Sequence, residues 1–337
     1  MKQTPHSLIY LGLSAALVAA LAFAPMAASA APAGTANVAV VVRDFNNPYW
    51  RALRDGAADQ GKKLGIPVTV QAGSTETDSI GENAKISTMA NQSFTCFGVV
   101  PVNATNIITP LIPVSRKGIP IINLDTGLDA GAVKSAGLNI TSFIGSDNSR
   151  AGAMAGDYML KLLGGSGKVV ILLGIPGEQN GINREAAFRK TIAGKLTVVQ
   201  TAVADYERPK ALTVVESILK VHPDITGIFA ANDEMGLGAA QAIANAGKQG
   251  KIKVISIDGV TEALAAVKSG KLSATVSQYP YAEGQMAVSA CHALAAGKTI
   301  PAKVESPIRL ITADNAAQAI TSFPRPFFTF DNPFGAL

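Results

Sequence analysis

The stretch ITGIFAANDEMGLGAAQAIANAG (225–247) decides the fold. It opens with a short apolar run, Ile225–Ala230, passes through the polar link Asn232-Asp233-Glu234, and continues as a helical pattern over 234–247. The same grammar extends in both directions. Further strand candidates are Ala36–Val42, Pro67–Ala72, Phe97–Val100, Ile119–Leu124, Lys168–Leu173, Leu196–Val203, Lys253–Ile257 and Ala274–Val276. Helical patterns lie near 48–64, 80–91, 148–163, 183–194, 209–221, 260–268 and 281–296. Strands apolar throughout and alternating with helices imply parallel sheets covered on both faces, a doubly wound α/β architecture. Nine such strands are too many for one small domain, and 337 residues suit about two. Two lobes are expected, the first ending near Gly145, with the less periodic stretch Gly131–Gly145 as a crossing point. No sequence repeat is visible.

Composition excludes several classes. Apolar residues make up 48% and charged residues 16%, which excludes a disordered chain. The net charge is +5, with the basic residues scattered and no basic stripe, so no nucleic acid partner is expected. Residues 1–30 read as a signal peptide: Lys2, an apolar run from Leu11 to Ala24, the breaker Pro25, and small residues at Ala28 and Ala30. Cleavage is expected before Ala31, giving an exported protein. Cys96 and Cys291 could form one bridge in an oxidising compartment; two buried free thiols are the favoured expectation. His222 and His292 have no carboxylate or Cys at ligand spacing, so no metal is expected.

In open parallel sheets ligands bind beyond the carboxyl ends of the strands. The residues found there are Arg43, Asn47, Tyr49 and Trp50 after the first strand, Asp125 after Ile119–Leu124, and Arg184 beyond the loop Gly174–Gly181. Asn232, Asp258 and Gln278 follow later strands. Each has a structural alternative. Asn47 before Pro48 is a helix N-cap in its own right, an Asp after a strand is often a cap, Arg184 could serve an ion pair, and Tyr49 and Trp50 could be core. Together they make a rim of carboxylates, guanidinium groups, carboxamides and aromatics. That mixture suits a neutral polyhydroxylated ligand, whose hydroxyls donate and accept while its C–H faces pack on aromatics.

At these residues the chain resembles the periplasmic sugar-binding proteins of the ribose, allose and galactose type, secreted relatives of LacI-like repressor cores. The resemblance runs from about Asn37 to Ala313. It is carried by NNPYW (46–50), IINLD (121–125), SDNSRAGAMAGDYM (146–159), NREAAF (183–188), FAANDEMGLGAAQAI (229–243), ISIDG (255–259) and GKLSATVSQYP (270–280). The stretch 101–125 looks closest to the allose-binding branch. The resemblance implies the type I periplasmic binding protein fold: two Rossmann-like lobes joined by crossovers near Gly145–Asp147, Gln278–Pro280 and Ser306–Ile308. It assigns 36–145 plus 279–307 to one lobe, 146–278 plus 308–318 to the other, and leaves 319–337 as a tail. It also implies ligand contacts from Asn47, Tyr49, Trp50 and Asp125 in the first lobe, from Arg184, Tyr206, Asn232 and Asp258 in the second, and from Gln278 in the hinge. Arg43 stands where the ribose binder has Ser and the allose binder Lys. Thr126 stands where they have Arg and an acidic residue, so these two positions are expected to bear on the choice of sugar. Arg43 and Arg184 would balance Asp125 and Asp258, favouring a neutral monosaccharide or sugar alcohol over a sugar acid.

The implied activity is capture by hinge closure and delivery to an ABC permease and its ATPase at the inner membrane, by a periplasmic monomer without a cofactor. A receptor feeding chemotaxis or a sensor kinase is the alternative. A glycosidase using Asp125 and Asp258 is the remote one, disfavoured because Arg neighbours hold both carboxylates ionised. Gly164-Gly165-Ser166-Gly167-Lys168 lacks phosphate-loop spacing and precedes a strand. The Phe-rich tail Ser322–Leu337 is expected to pack on a lobe.

Overall fold

The computed structural model describes residues 35–335. The segment read as a leader, with its cleavage point before Ala31, lies outside the described residues. The first sheet holds β1 (Val38–Val42), β2 (Val68–Ala72), β3 (Cys96–Val99), β4 (Ile121–Leu124), β5 (Ser142–Ser146) and β11 (Lys303–Ser306). The second holds β6 (Gly167–Leu173), β7 (Leu196–Val203), β8 (Gly227–Ala230), β9 (Lys253–Asp258), β10 (Ala274–Gln278) and β12 (Ile308–Ile311). Their orders, β11-β5-β4-β3-β1-β2 and β12-β10-β9-β8-β6-β7, are the same topology used twice. Pairing is parallel except between β10 and β12. Thus a structural repeat exists where the sequence shows none.

The helices are α1 (Pro48–Leu64), α2 (Ser79–Met89), α3 (Ile108–Arg116), α4 (Ala130–Ser135), α5 (Asn148–Leu163), α6 (Gln179–Ile192), α7 (Arg208–Val221), α8 (Asp233–Asn245), α9 (Thr261–Lys268), α10 (Pro280–Ala295) and α11 (Ala316–Ser322). Local chemistry starts and stops them. Asn47 caps α1 by accepting from the Tyr49 amide, Pro48 fills the first turn, and Gly65 ends the helix in the left-handed conformation. Asn232 caps α8 by accepting from the Met235 amide. Helices α1 and α10 cross so closely that a Cβ on Gly56 would lie 1.9 Å from the Tyr281 carbonyl oxygen. Only hydrogen fits there.

The chain passes between the sheets three times: from β5 into α5, from β10 into α10, and from β11 into β12. Ser146 and Ser306 end strands at two crossings, and the buried carboxyl of Glu283, in the first turn of α10, faces both. Burial, helped by Asp125, pushes that carboxyl well above its ordinary range.

Three findings differ from expectation. Gly131–Gly145 is not a bare crossing segment, because it holds most of α4 and β5. Strands β5, β11 and β12 lay outside the expected runs: β11 (KVES) and β12 (IRLI) are edge strands, which need bury only one face, while the interior strand β5 (SFIGS) has its apolar run broken by serine and glycine. Cys96 and Cys291 are not free thiols. They form a disulfide between β3 and α10, with Cα atoms 5.8 Å apart. The pairing follows from α10 returning to the first sheet and packing on β3, which 195 residues of separation conceal. The tail packs as expected. Phe327, Phe330 and Phe334 lie half-buried against the core, Phe328 meets Tyr279 edge-on, and Arg309 lies over Phe327 and Phe328.

Candidate functional site

The carboxyl ends of the two sheets face one cavity, with about 280 Å³ of space between atoms. Much of that space opens to solvent, and the room for a water-sized sphere within it is only about 20 Å³, so the rims are drawn close together. Ten of the eleven residues expected in the site line it: Arg43, Asn47, Tyr49, Trp50, Asp125, Arg184, Tyr206, Asn232, Asp258 and Gln278. Thr126 does not line it. It is buried behind Asp125, and its hydroxyl accepts from Arg43 Nη2 at 2.7 Å. Glu76, Glu178 and Asn180 complete the lining and were missed. Each follows a strand, Glu76 after β2 and the other two after β6, so the rule that found the rest covers them as well.

Strands β4 and β9 hold the same place in their sheets, and each delivers an aspartate in an unusual backbone conformation. Asp125 has φ 55° and Asp258 φ 141°. Such strain persists only where the surroundings impose it. Tyr206 also has positive φ, 65°, and its ring lies flat against Gly174, where a Cβ would fall 2.0 Å from the ring.

Contacts between the two rims close the cavity. Arg43 Nη2, from the first lobe, donates to Glu178 Oε1 of the second at 3.1 Å, and both side chains are almost wholly buried. Asn180 Nδ2 donates to Asp125 Oδ2 at 2.9 Å. The Thr126 hydroxyl lies 2.8 Å from Asp125 Oδ2 and 3.1 Å from Glu178 Oε1. The Arg43 guanidinium sits between the rings of Trp50 and Tyr206, at 5.3 and 5.9 Å. The charge balance therefore differs from the expected two against two: Glu76, Asp125, Glu178 and Asp258 face Arg43 and Arg184, and Arg43 pairs with Glu178 and Glu76.

Burial opposes the charge of Arg43, but Glu178, Glu76 and Asp125 outweigh it and raise its pKa. Burial likewise pushes Glu178 up, yet Arg43 and the Tyr206 hydroxyl hold its carboxyl below the ordinary range. Burial raises Glu76 to about 7, against the pull of Arg43 and its bonds from Asn47 and Trp50. Contrary to the expectation that an Arg neighbour holds it ionised, burial pushes Asp258 well above its usual value, with Asp233 and Asp125 adding to it and Arg184 opposing. The Tyr49 and Tyr206 hydroxyls are pushed up by burial and stay neutral donors, to Asp125 Oδ1 and Glu178 Oε2 respectively.

The unspent valences define what the cavity can hold. Asn47 and Asn232 are both caps and lining residues, with their oxygens committed to Tyr49 and Met235 amides. Both oxygens of Asp125 and of Glu178 are engaged. Among the described residues of the lining, Glu76 Oε2 and Gln278 Oε1 are buried with no hydrogen-bond partner. Arg184 binds Asn148 Oδ1 and the Ala231 carbonyl, and its Nη1 stands 3.9 Å from Asp258 Oδ1. Arg43 Nη1 stands 3.7 Å from Glu76 Oε2. Both separations are too long for a direct hydrogen bond, and each pair can be bridged from the cavity side by a group that donates to the carboxylate oxygen while accepting from the guanidinium. That group is a hydroxyl. No helix among the described residues is long and apolar enough to cross a membrane, and no cluster of metal-ligating side chains occurs among them.

Comparison with known proteins agrees with this geometry. The chain is 35% identical over 250 residues to the D-allose-binding periplasmic protein of Escherichia coli (strain K12), covering 73% of this chain and 80% of that one. It is 34% identical over 275 residues to the ribose import binding protein of Bacillus subtilis (strain 168), covering 82% and 87%. A solved periplasmic solute-binding protein of an ABC transporter from Actinobacillus succinogenes 130z, with bound D-allose, superposes with a TM-score of 0.80 at 30% identity, covering 84% of this chain and all of the other. Residues 38–299 match the family model described as periplasmic binding protein domain, and the chain belongs to that family.

Proposed function

We propose that this protein is the solute-binding component of an ABC transporter, capturing a monosaccharide of the allose or ribose kind, or a sugar alcohol, and delivering it to a membrane permease. The observation that carries this reading is the pair of guanidinium–carboxylate gaps, Arg43–Glu76 at 3.7 Å and Arg184–Asp258 at 3.9 Å, one on each rim. The D-allose- and ribose-binding relatives support it. Residues 36–145 plus 279–307 and 146–278 plus 308–318 move as two lobes about the three crossings. Ligand held by Arg43, Glu76 and Trp50 on one side and Arg184, Tyr206 and Asp258 on the other favours the closed form by its differential affinity. No reaction follows. A glycosidase needs a second carboxylate free to attack or to activate water, and Asp125 spends both oxygens on Tyr49, Thr126 and Asn180. The protein works as a periplasmic monomer, after removal of its leader before Ala31.

The test is to express the full chain, recover it from the periplasm, read the cleavage point from the intact mass, and follow thermal unfolding against pentoses, hexoses, alditols and sugar acids. Ligand at 1,000 times its dissociation constant stabilises by about 4 kcal/mol, a rise of several degrees. A rise with one neutral sugar, recovered unchanged, is expected. Silence with every neutral compound, or hydrolysis of a bound glycoside, would overturn the reading.

A further inference from the structure

The gap between Arg43 and Glu76 is enforced from both sides. Glu76 Oε1 accepts from Asn47 Nδ2 at 2.6 Å and from Trp50 Nε1 at 2.8 Å, which locks the carboxylate plane and leaves Oε2 buried with no hydrogen-bond partner. Arg43 cannot swing across. Its Nε donates to the Pro101 carbonyl at 3.0 Å, and its Nη2 is committed to Thr126 and Glu178. Nη1 and Oε2, 3.7 Å apart, are therefore held side by side without a hydrogen bond to each other, and a hydroxyl oxygen approaching from the cavity can lie within hydrogen-bond reach of both.

From this we infer that Glu76 is a specificity-determining residue, reading one particular hydroxyl of the ligand between its Oε2 and Arg43 Nη1. The inference rests on the sugar-binding reading above and adds to it a chemical rule. A hydroxyl satisfies both groups at once. A carboxylate or phosphate there meets Glu76, an ammonium meets Arg43, and a hydrogen leaves both buried groups unpaired, which is the costly case. The site therefore takes neutral sugars and alditols that carry a free hydroxyl at the Glu76 end, and rejects their acids, their amines and the analogue deoxygenated at that one carbon.

The experiment is calorimetric titration of the unaltered chain and of Glu76→Gln with whichever of D-allose and D-ribose binds, together with its monodeoxy analogues. Glu76→Gln keeps an oxygen for Asn47 and Trp50 and replaces the acceptor at the slot by a donor. At about pH 8.5, where a carboxyl raised to about 7 is ionised, loss of a charged hydrogen bond predicts a fall of at least about tenfold for the parent sugar and for every analogue but one. The exception binds both proteins within about twofold, and binds the unaltered chain at least about tenfold more weakly than the parent. Should Glu76→Gln not fold, Glu76→Asp withdraws the acceptor while keeping the charge, and the same pattern is expected. A uniform fall across all analogues would show that Glu76 only props Trp50 and Asn47, and no fall would show that the slot is unused; either overturns the inference. Failure of D-allose, D-ribose and every other neutral sugar and alditol of the thermal screen to bind the unaltered chain would instead remove the reading beneath it.

Discussion

Glu178→Gln separates closure from folding. Glu178 Oε1 receives the Arg43 guanidinium across the cleft at 3.1 Å, with side-chain exposures of 0% and 3%. In the open form proposed above the two groups part and face water, so the pair counts only when the lobes close. Removing one partner of a buried ion pair costs about 3–5 kcal/mol. Arg43 keeps Glu76 at 3.7 Å, which places the loss at the lower end, about 3 kcal/mol. With 1.4 kcal/mol per decade, affinity for the captured sugar should fall roughly a hundredfold. The melting point of the unliganded protein should move by no more than about 2 °C, since glutamine retains an oxygen to accept from the Gly181 amide and so still caps α6. Titration calorimetry measures the affinity and small-angle scattering the fraction closed at saturation. Affinity unchanged within about threefold would refute the latch. A fall in affinity matched by an equal loss of unliganded stability would refute it as well, because Glu178 would then be a structural group of its own lobe.

Three other outcomes are expected. Cys96→Ser with Cys291→Ser should cost up to about 5 kcal/mol of stability by release of a long closed loop, with sugar affinity unchanged because both cysteines belong to the first lobe; chemical denaturation and calorimetry check this. Burial raises Glu82 from 4.5 to about 7. Its carboxyl is protonated in both states below pH 4.5 and is ionised in the folded state above about 7, so its destabilising effect grows as pH rises between them. Glu82→Gln should therefore gain up to roughly 3 kcal/mol at pH 8 and nothing at pH 4, as read from urea midpoints, and a gain independent of pH would contradict it. Trp50, the single tryptophan, donates to Glu76 and lies under Arg43. Its fluorescence should respond to saturating sugar, and an unchanged spectrum would place the ligand elsewhere.

The apolar runs, the N-cap Asn47 with Pro48, and the polar residues that follow each strand were legible because they obey local rules. A strand buried on both faces, such as VAVVV at β1, must be apolar throughout, and a helix entered from a strand end needs a cap. The doubly wound class and most of the cavity lining follow from these alone. Glu76 and Glu178 obey the same positional rule, yet a carboxylate in a loop reads as solvated until the fold shows it buried.

Sequence by itself thus determined the alternation of strands and helices and the residues at the strand ends, since each depends on neighbours a few positions away. Tertiary structure alone decided which of those residues share one cavity, that Thr126 stands behind Asp125 rather than in the cavity lining, and that Cys96 meets Cys291. It also decided that Arg43 answers to Glu178 and Glu76. Those outcomes depend on where the chain crosses between the sheets and on how two separately built rims meet, and distances across such a closure are set by packing between elements far apart in sequence.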